Sequence, residues 1–135
     1  MLAAKSLPYN KTNAFTNIVI DYLGQKDKLK PFYSETPTIQ GIEQIILQKK
    51  GQPLNRESLV RVLNEQYKTH KVSNETRKNV ESLLSPETFT ITTAHQPNLF
   101  TGPLYFIYKI LHAIKLSGFL NDNLPAYHFV PVYYM

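Results

Sequence analysis

Phe15, Ile18, Val19, Tyr22 and Leu23 recur every three or four positions, the period of one helix face. They predict a first amphipathic helix over about residues 13 to 24, capped by Thr12 or Asn13. Pro31 and Pro37 bracket an irregular link. Ile39, Ile42, Ile45 and Ile46 then form a second stripe, closed by Gly51 and Pro53. Asn55 has the side chain to cap a third helix, with Leu59, Val62, Leu63 and Tyr67 turned inward, and a short fourth helix runs from about Ser73 to Leu84.

The pattern changes after Ser85-Pro86. Thr88 to Thr93 alternates β-branched and aromatic residues as a strand does. From Leu104 to Phe119 apolar side chains cover most of a helix circumference, leaving a narrow polar stripe of Tyr105, Tyr108, Lys109, His112 and Lys115. Such a helix is expected to be buried, and Gly118, Asn121, Asn123 and Pro125 are expected to end it. Tyr127 to Tyr134 then reads as a second, largely buried strand. Two strands separated by so long a crossover are most simply parallel. The expected fold class is α/β, with an N-terminal helical region over residues 1–85 and the first β-α-β unit of a Rossmann-like parallel sheet over residues 86–135. A two-stranded sheet is marginal by itself, so the sheet is expected to be truncated, with an open edge on its last strand that favours association.

Composition narrows the classes. The 135 residues contain no cysteine, which excludes disulfides, thiolate metal sites and a thiol nucleophile, and favours a reducing, cytoplasmic setting. No apolar run approaches the ~20 residues needed to span a bilayer, so no membrane association is expected. The net charge of +5 lies wholly in residues 1 to 85, with thirteen basic against eight acidic side chains, while the remainder carries two of each. Those lysines are dispersed beside glutamates rather than clustered with stacking aromatics. A solvated helix surface therefore fits better than a nucleic-acid face, although a small basic module for nucleic acid or a protein partner is the alternative reading.

Candidate chemistry concentrates in the elbow between the first strand and the long helix, where His95, Gln96, Pro97, Asn98, Thr101, Gly102 and Pro103 fall within nine residues. In open α/β sheets ligands sit beyond the carboxyl ends of the strands, where loop amides and the next helix N-terminus attract anions. Thr101 offers a hydroxyl, Gly102 lets a ligand approach the backbone, and Pro103 suits a first helical turn. Neither the P-loop pattern nor G-x-G-x-x-G is present. The four histidines are scattered and make no recognisable zinc site. His70 and His128 are expected to be structural, and His112 to meet solvent or other helices.

The string from Ile91 to Ile110 resembles the opening of the Rossmann core in the bacillithiol-biosynthesis cysteine-adding enzymes, ATP-using cysteine ligases with a hallmark like T-G-[QH]-Q-x-x-L-F-T-G-P-L-Y. Thr93, Gln96 and Leu99 through Tyr105 match it, with looser likeness at Ile107 to Ile110, Lys115, the terminal FVPVYYM, Asp21, Tyr22 and Lys30 to Tyr33. Ala94 and Asn98 stand where members of the family often have glycine. His95-x-x-Asn98 also resembles, loosely, the H-x-G-H elbow of class I nucleotidyl transferases. The resemblance implies an N-terminal fragment, inactive alone, of a ligase that adds cysteine to glucosaminyl-malate. It further implies ATP as co-substrate and a homodimeric full-length enzyme; Mg²⁺ is optional in this reading and would need carboxylates from outside this chain, since only Glu87, at the far end of the strand, is near the elbow. His95 and Gln96 would be catalytic, and Thr93, Asn98, Thr101, Gly102, Tyr105 and Lys109 would bind nucleotide or substrate.

Overall fold

A computed structural model of the chain describes residues 5 to 99 and 102 to 135. The helices are α1 (Asn17–Leu23), α2 (Ile39–Lys50), α3 (Arg56–Tyr67), α4 (Asn74–Ser82) and α5 (Leu104–Asn123), and the strands are β1 (Thr88–Ala94) and β2 (His128–Tyr134). Short 3-10 turns occupy Tyr9–Lys11 and Asp27–Phe32. The chain divides into two compact units, Met1–Ile45 and Ile46–Met135.

In the first unit α1 starts later than its apolar period predicts. Thr12 does not cap it, because its hydroxyl donates instead to the Tyr9 carbonyl at 2.8 Å, and Asn13 turns left-handed with φ 53°. The stretch between the two prolines is not wholly irregular, since Pro31 sits inside the Asp27–Phe32 turn. Tyr22 meets Tyr33 edge to face with ring centroids 5.3 Å apart. The start of α2 is set by Thr38, whose hydroxyl accepts from the Gly41 amide at 3.1 Å.

In the second unit local signals set the helix starts. The Asn55 side chain accepts from the Ser58 amide, and the Ser73 hydroxyl accepts from the Thr76 amide, so both N-termini use the side-chain caps that free first-turn amides require. The inward face of α3 differs from the predicted one. Val60 is buried and Leu63 partly so, while Leu59 and Val62 are exposed. The rotation follows from partners the local period does not contain: Val60 packs with Val80, Leu83 and Val130, and Arg56 donates to the Leu83 carbonyl at 2.9 Å.

The strands pair in parallel, from Thr88 opposite His128 to Ala94 opposite Tyr134, as the crossover length requires. Each strand presents alternate residues to opposite faces. Phe129 and Tyr133 turn toward one side, where Phe129 meets Phe89 and Tyr133 meets Phe106 of α5. Val130 and Val132 turn toward α3 and α4. The sheet is thus covered on both faces, an α/β arrangement.

Helix α5 is longer and less buried than predicted. It passes through Gly118 and ends at Asn123. Only Ala113, Ser117 and Leu120 are fully buried along it, whereas Leu104, Leu111, Ile114 and Phe119 remain exposed. A helix against one sheet face covers one stripe of its surface, and among the described residues nothing covers the other.

The open edge also differs from expectation. The His128 amide donates to the Glu87 carbonyl and the His95 amide to the Tyr134 carbonyl. The parallel ladder alternates, so Phe129, Pro131 and Tyr133 point their backbone groups away from β1. At Phe129 both groups are taken by Asn121, whose amide accepts from the Phe129 N–H at 2.7 Å and donates to its carbonyl at 3.1 Å. Pro131 has no N–H. The last strand is therefore blunted, and the longer open edge belongs to β1, where Thr90 and Thr92 are exposed along a groove that also includes Leu54 and Leu59.

At the amino ends of the strands, Lys50 pairs with Glu87 and lies 4.7 Å from the centre of the Tyr127 ring. The Glu87 carboxylate beside it raises the Lys50 pKa above the ordinary lysine value.

Candidate active site

Strand β1 ends at Ala94, and α5 begins at Leu104. Pro103 is the N-cap residue, one position ahead of the first turn, with φ −71° and ψ 151°. Among the described residues no side chain caps this helix start, and no acidic residue lies in its first turn. The Phe106 amide already donates to the Pro103 carbonyl at 2.9 Å, so the Leu104 and Tyr105 amides are the ones that could meet an outside acceptor.

Five predicted residues converge here. The Lys109 ammonium donates to the Ala94 carbonyl at 2.6 Å, placing a cation at the end of β1. His95 Nε2 lies 2.6 Å from the Tyr105 hydroxyl. On the other side of the ring, Asn98 Nδ2 lies 2.7 Å from His95 Nδ1 and donates to the Gln96 carbonyl at 2.8 Å. The Gln96 carbonyl itself is 2.9 Å from Nδ1. Both imidazole nitrogens thus have partners within the elbow, and a ligand would meet the Tyr105 hydroxyl before the ring. Gln96 enters the cluster through its carbonyl and is exposed.

Gly102 is left-handed with φ 62°, a region that favours glycine. A Cβ placed there would stand 2.7 Å from both Cβ and Cγ of Asn98, so this glycine makes room for the asparagine that holds the imidazole. Thr93 does not join the cluster. It sits half-buried in β1 opposite Tyr133 and lines a separate cavity of about 280 Å³ with Leu63, Val80 and Ile110. Thr101 lies outside the described residues.

Two contributors escaped the sequence reading. Phe106 stands edge-on to the His95 ring at 5.8 Å and also meets Tyr133 at 5.4 Å, linking the elbow to β2; its place one residue after Tyr105 was the available signal. The Ala94 carbonyl, which receives Lys109, carries no side-chain signature at all. His112 lines an exposed groove with Tyr108, Lys115 and Phe119, away from the cluster. Among the described residues no group of three His, Cys, Asp or Glu side chains could hold a metal ion.

A parallel βαβ unit with helices on both sheet faces and a cluster of donors where β1 meets α5 is the opening of a Rossmann-like α/β fold. Residues 2 to 135 match the profile of the family described as bacillithiol biosynthesis BshC, N-terminal Rossmann-like domain. Relatives named "Putative cysteine ligase BshC" agree. That of Flavobacterium johnsoniae is 44% identical over 131 residues, covering 96% of this chain and 25% of that protein. That of Christiangramia forsetii is 44% identical, covering 96% of this chain and 24% of that protein. That of Chlorobaculum tepidum is 42% identical over 80 residues, covering 59% of this chain and 14% of that protein. The chain belongs to the BshC family of cysteine ligases in bacillithiol biosynthesis, and spans about a quarter of the length of the first two relatives.

Proposed function

We propose that this chain is the N-terminal part of an ATP-dependent ligase that forms a carbon-nitrogen bond between the carboxyl group of cysteine and the amine of glucosaminyl-malate. What supports the reading is family membership together with one geometric fact: Lys109, Tyr105 and the first turn of α5, which no described side chain caps, lie at one place beyond the carboxyl end of β1. That set suits an anion, since it combines a cation, a hydroxyl and helix amides without a carboxylate among them. ATP supplies the leaving group that lets a carboxylate accept an amine.

The residues of this chain bind and orient. Lys109 and the α5 amides neutralise phosphate or carboxylate charge, while Tyr105 and its imidazole support fix one anionic oxygen. Gln96 stands at the exposed rim to meet the substrate. The binding role of Thr93 would be indirect, through the strand that carries His95. Mg²⁺, if used, takes its ligands outside the described residues, and the chain alone is inactive. The whole enzyme is a cytoplasmic homodimer acting on small molecules, with no nucleic-acid or membrane partner.

The test is an assay of the protein encoded by the complete reading frame, with ATP, cysteine and glucosaminyl-malate. Product that depends on all three is expected. A folded protein that turns over none of them overturns the proposal.

A further inference from the structure

We infer that Asn98 locks His95 as the tautomer protonated on Nε2, so that the imidazole donates to Tyr105 and the Tyr105 hydroxyl proton is left to donate to an anionic oxygen of the ligand. The inference rests on the anion-binding reading above only for its last step.

The hydrogen count at three atoms carries it. Asn98 Nδ2 lies 2.8 Å from the Gln96 carbonyl, which can only accept. That contact fixes the amide orientation, because the flipped side chain would set oxygen against oxygen. The second Nδ2 hydrogen is then directed at His95 Nδ1, 2.7 Å away. A contact that short between two nitrogens holds one hydrogen, and Asn98 already brings it. A protonated Nδ1 would oppose two donors at 2.7 Å, whereas an unprotonated Nδ1 opposes the Gln96 carbonyl at the longer 2.9 Å. Nδ1 therefore accepts.

A neutral imidazole with Nδ1 unprotonated carries its hydrogen on Nε2. That hydrogen meets the Tyr105 oxygen at 2.6 Å, so the phenol is an acceptor within the pair and a donor outside it. Tyr105 is about half exposed, at 52%, and among the described residues its hydroxyl meets only His95, so its proton can turn outward. The opposite tautomer would draw that proton inward to Nε2 and leave only lone pairs facing an anion. Asn98 is thus a positioning residue, acting on the ligand through two side chains. Gly102 secures it, since any Cβ at Gly102 would occupy the space of the Asn98 side chain.

The test is nitrogen-15 NMR of the imidazoles in this chain at alkaline pH, with His95 assigned by His95→Gln, combined with pyrophosphate titration. The expected result is an unprotonated Nδ1 in the parent and a proton moved to Nδ1 in Asn98→Asp, where a carboxylate accepts it. Asn98→Ala, which removes the donor without adding charge, should move the proton toward the Gln96 carbonyl in the same sense. Tyr105→Phe should leave Nδ1 unprotonated yet weaken pyrophosphate binding about tenfold, the loss of one hydrogen bond to a charged group. A protonated Nδ1 in the parent overturns the tautomer assignment whatever the anion result. A parent with the expected tautomer that ignores pyrophosphate overturns the anion reading and, with it, the role of Tyr105. Equal pyrophosphate affinity in the parent and Tyr105→Phe overturns that role alone.

Discussion

Gly102→Ala and Gly118→Ala make the same chemical change with opposite expected signs. At Gly102 the backbone is left-handed, φ 62°, which costs an alanine about 1–2 kcal/mol. The new methyl would also stand 2.7 Å from two Asn98 carbons, so Asn98 must move and give up contacts worth about 0.5–1.5 kcal/mol each. With the two contacts of Asn98, the sum is a loss of about 2–5 kcal/mol. At Gly118, inside α5, a Cβ meets nothing within 4 Å, and alanine should gain about 0.8–1 kcal/mol of helix propensity. Urea unfolding followed by circular dichroism resolves a gap of that size, and the NMR signal of His95 should shift only in Gly102→Ala. Two variants displaced in the same direction, or an unperturbed His95 in a folded Gly102→Ala, would refute the reasoning about the elbow.

Three further outcomes are expected. Asn121→Ala should cost about 1–3 kcal/mol by leaving the Phe129 N–H and carbonyl unpaired, and should raise self-association by reopening the β2 edge; sedimentation velocity and urea melts check both. Thr90→Pro should lower self-association while the strands stay paired, because the Thr90 amide points away from β2; a ladder broken on NMR would contradict the assigned register. Lys50 has its pKa raised by Glu87, so the pair stabilises fully below the ordinary lysine value and the contribution disappears as pH rises through the elevated one. The parent should therefore melt above Lys50→Met near neutral pH and lose that advantage in strong alkali, whereas a pH-independent difference would show that the ion pair contributes nothing.

What could be read from the sequence was what neighbouring residues decide. Asn55 and Ser73 cap their helices because the cap needs only amides three positions on. The alternation of Thr88 to Thr93 and the length of the crossover sufficed for a parallel βαβ unit. The inward face of α3 was misread because Leu59, Val60, Val62 and Leu63 span a wide arc, and the choice among them falls to Leu83 and Val130, distant in sequence. Gly118 was grouped with Asn121, Asn123 and Pro125 as the helix end, and α5 does stop at Asn123; it passes through Gly118 because the turn that follows keeps its place through Leu120, fully buried against the sheet. At the elbow the residue types marked a polar cluster, but the contacts within it did not show. Only the folded loop brings Asn98 to one side of the imidazole and Tyr105, ten residues on from His95, to the other.

The measurement that tests the central proposal most directly is the rate of cysteine-dependent ligation to glucosaminyl-malate by the protein from the complete reading frame, compared with its folded Lys109→Ala variant. Lys109 is held at the end of β1 by the Ala94 carbonyl, and loss of one such preorganised group should lower kcat/KM by about 10²–10³. Ligation at the parental rate by the variant would contradict the placement of anion chemistry at this elbow.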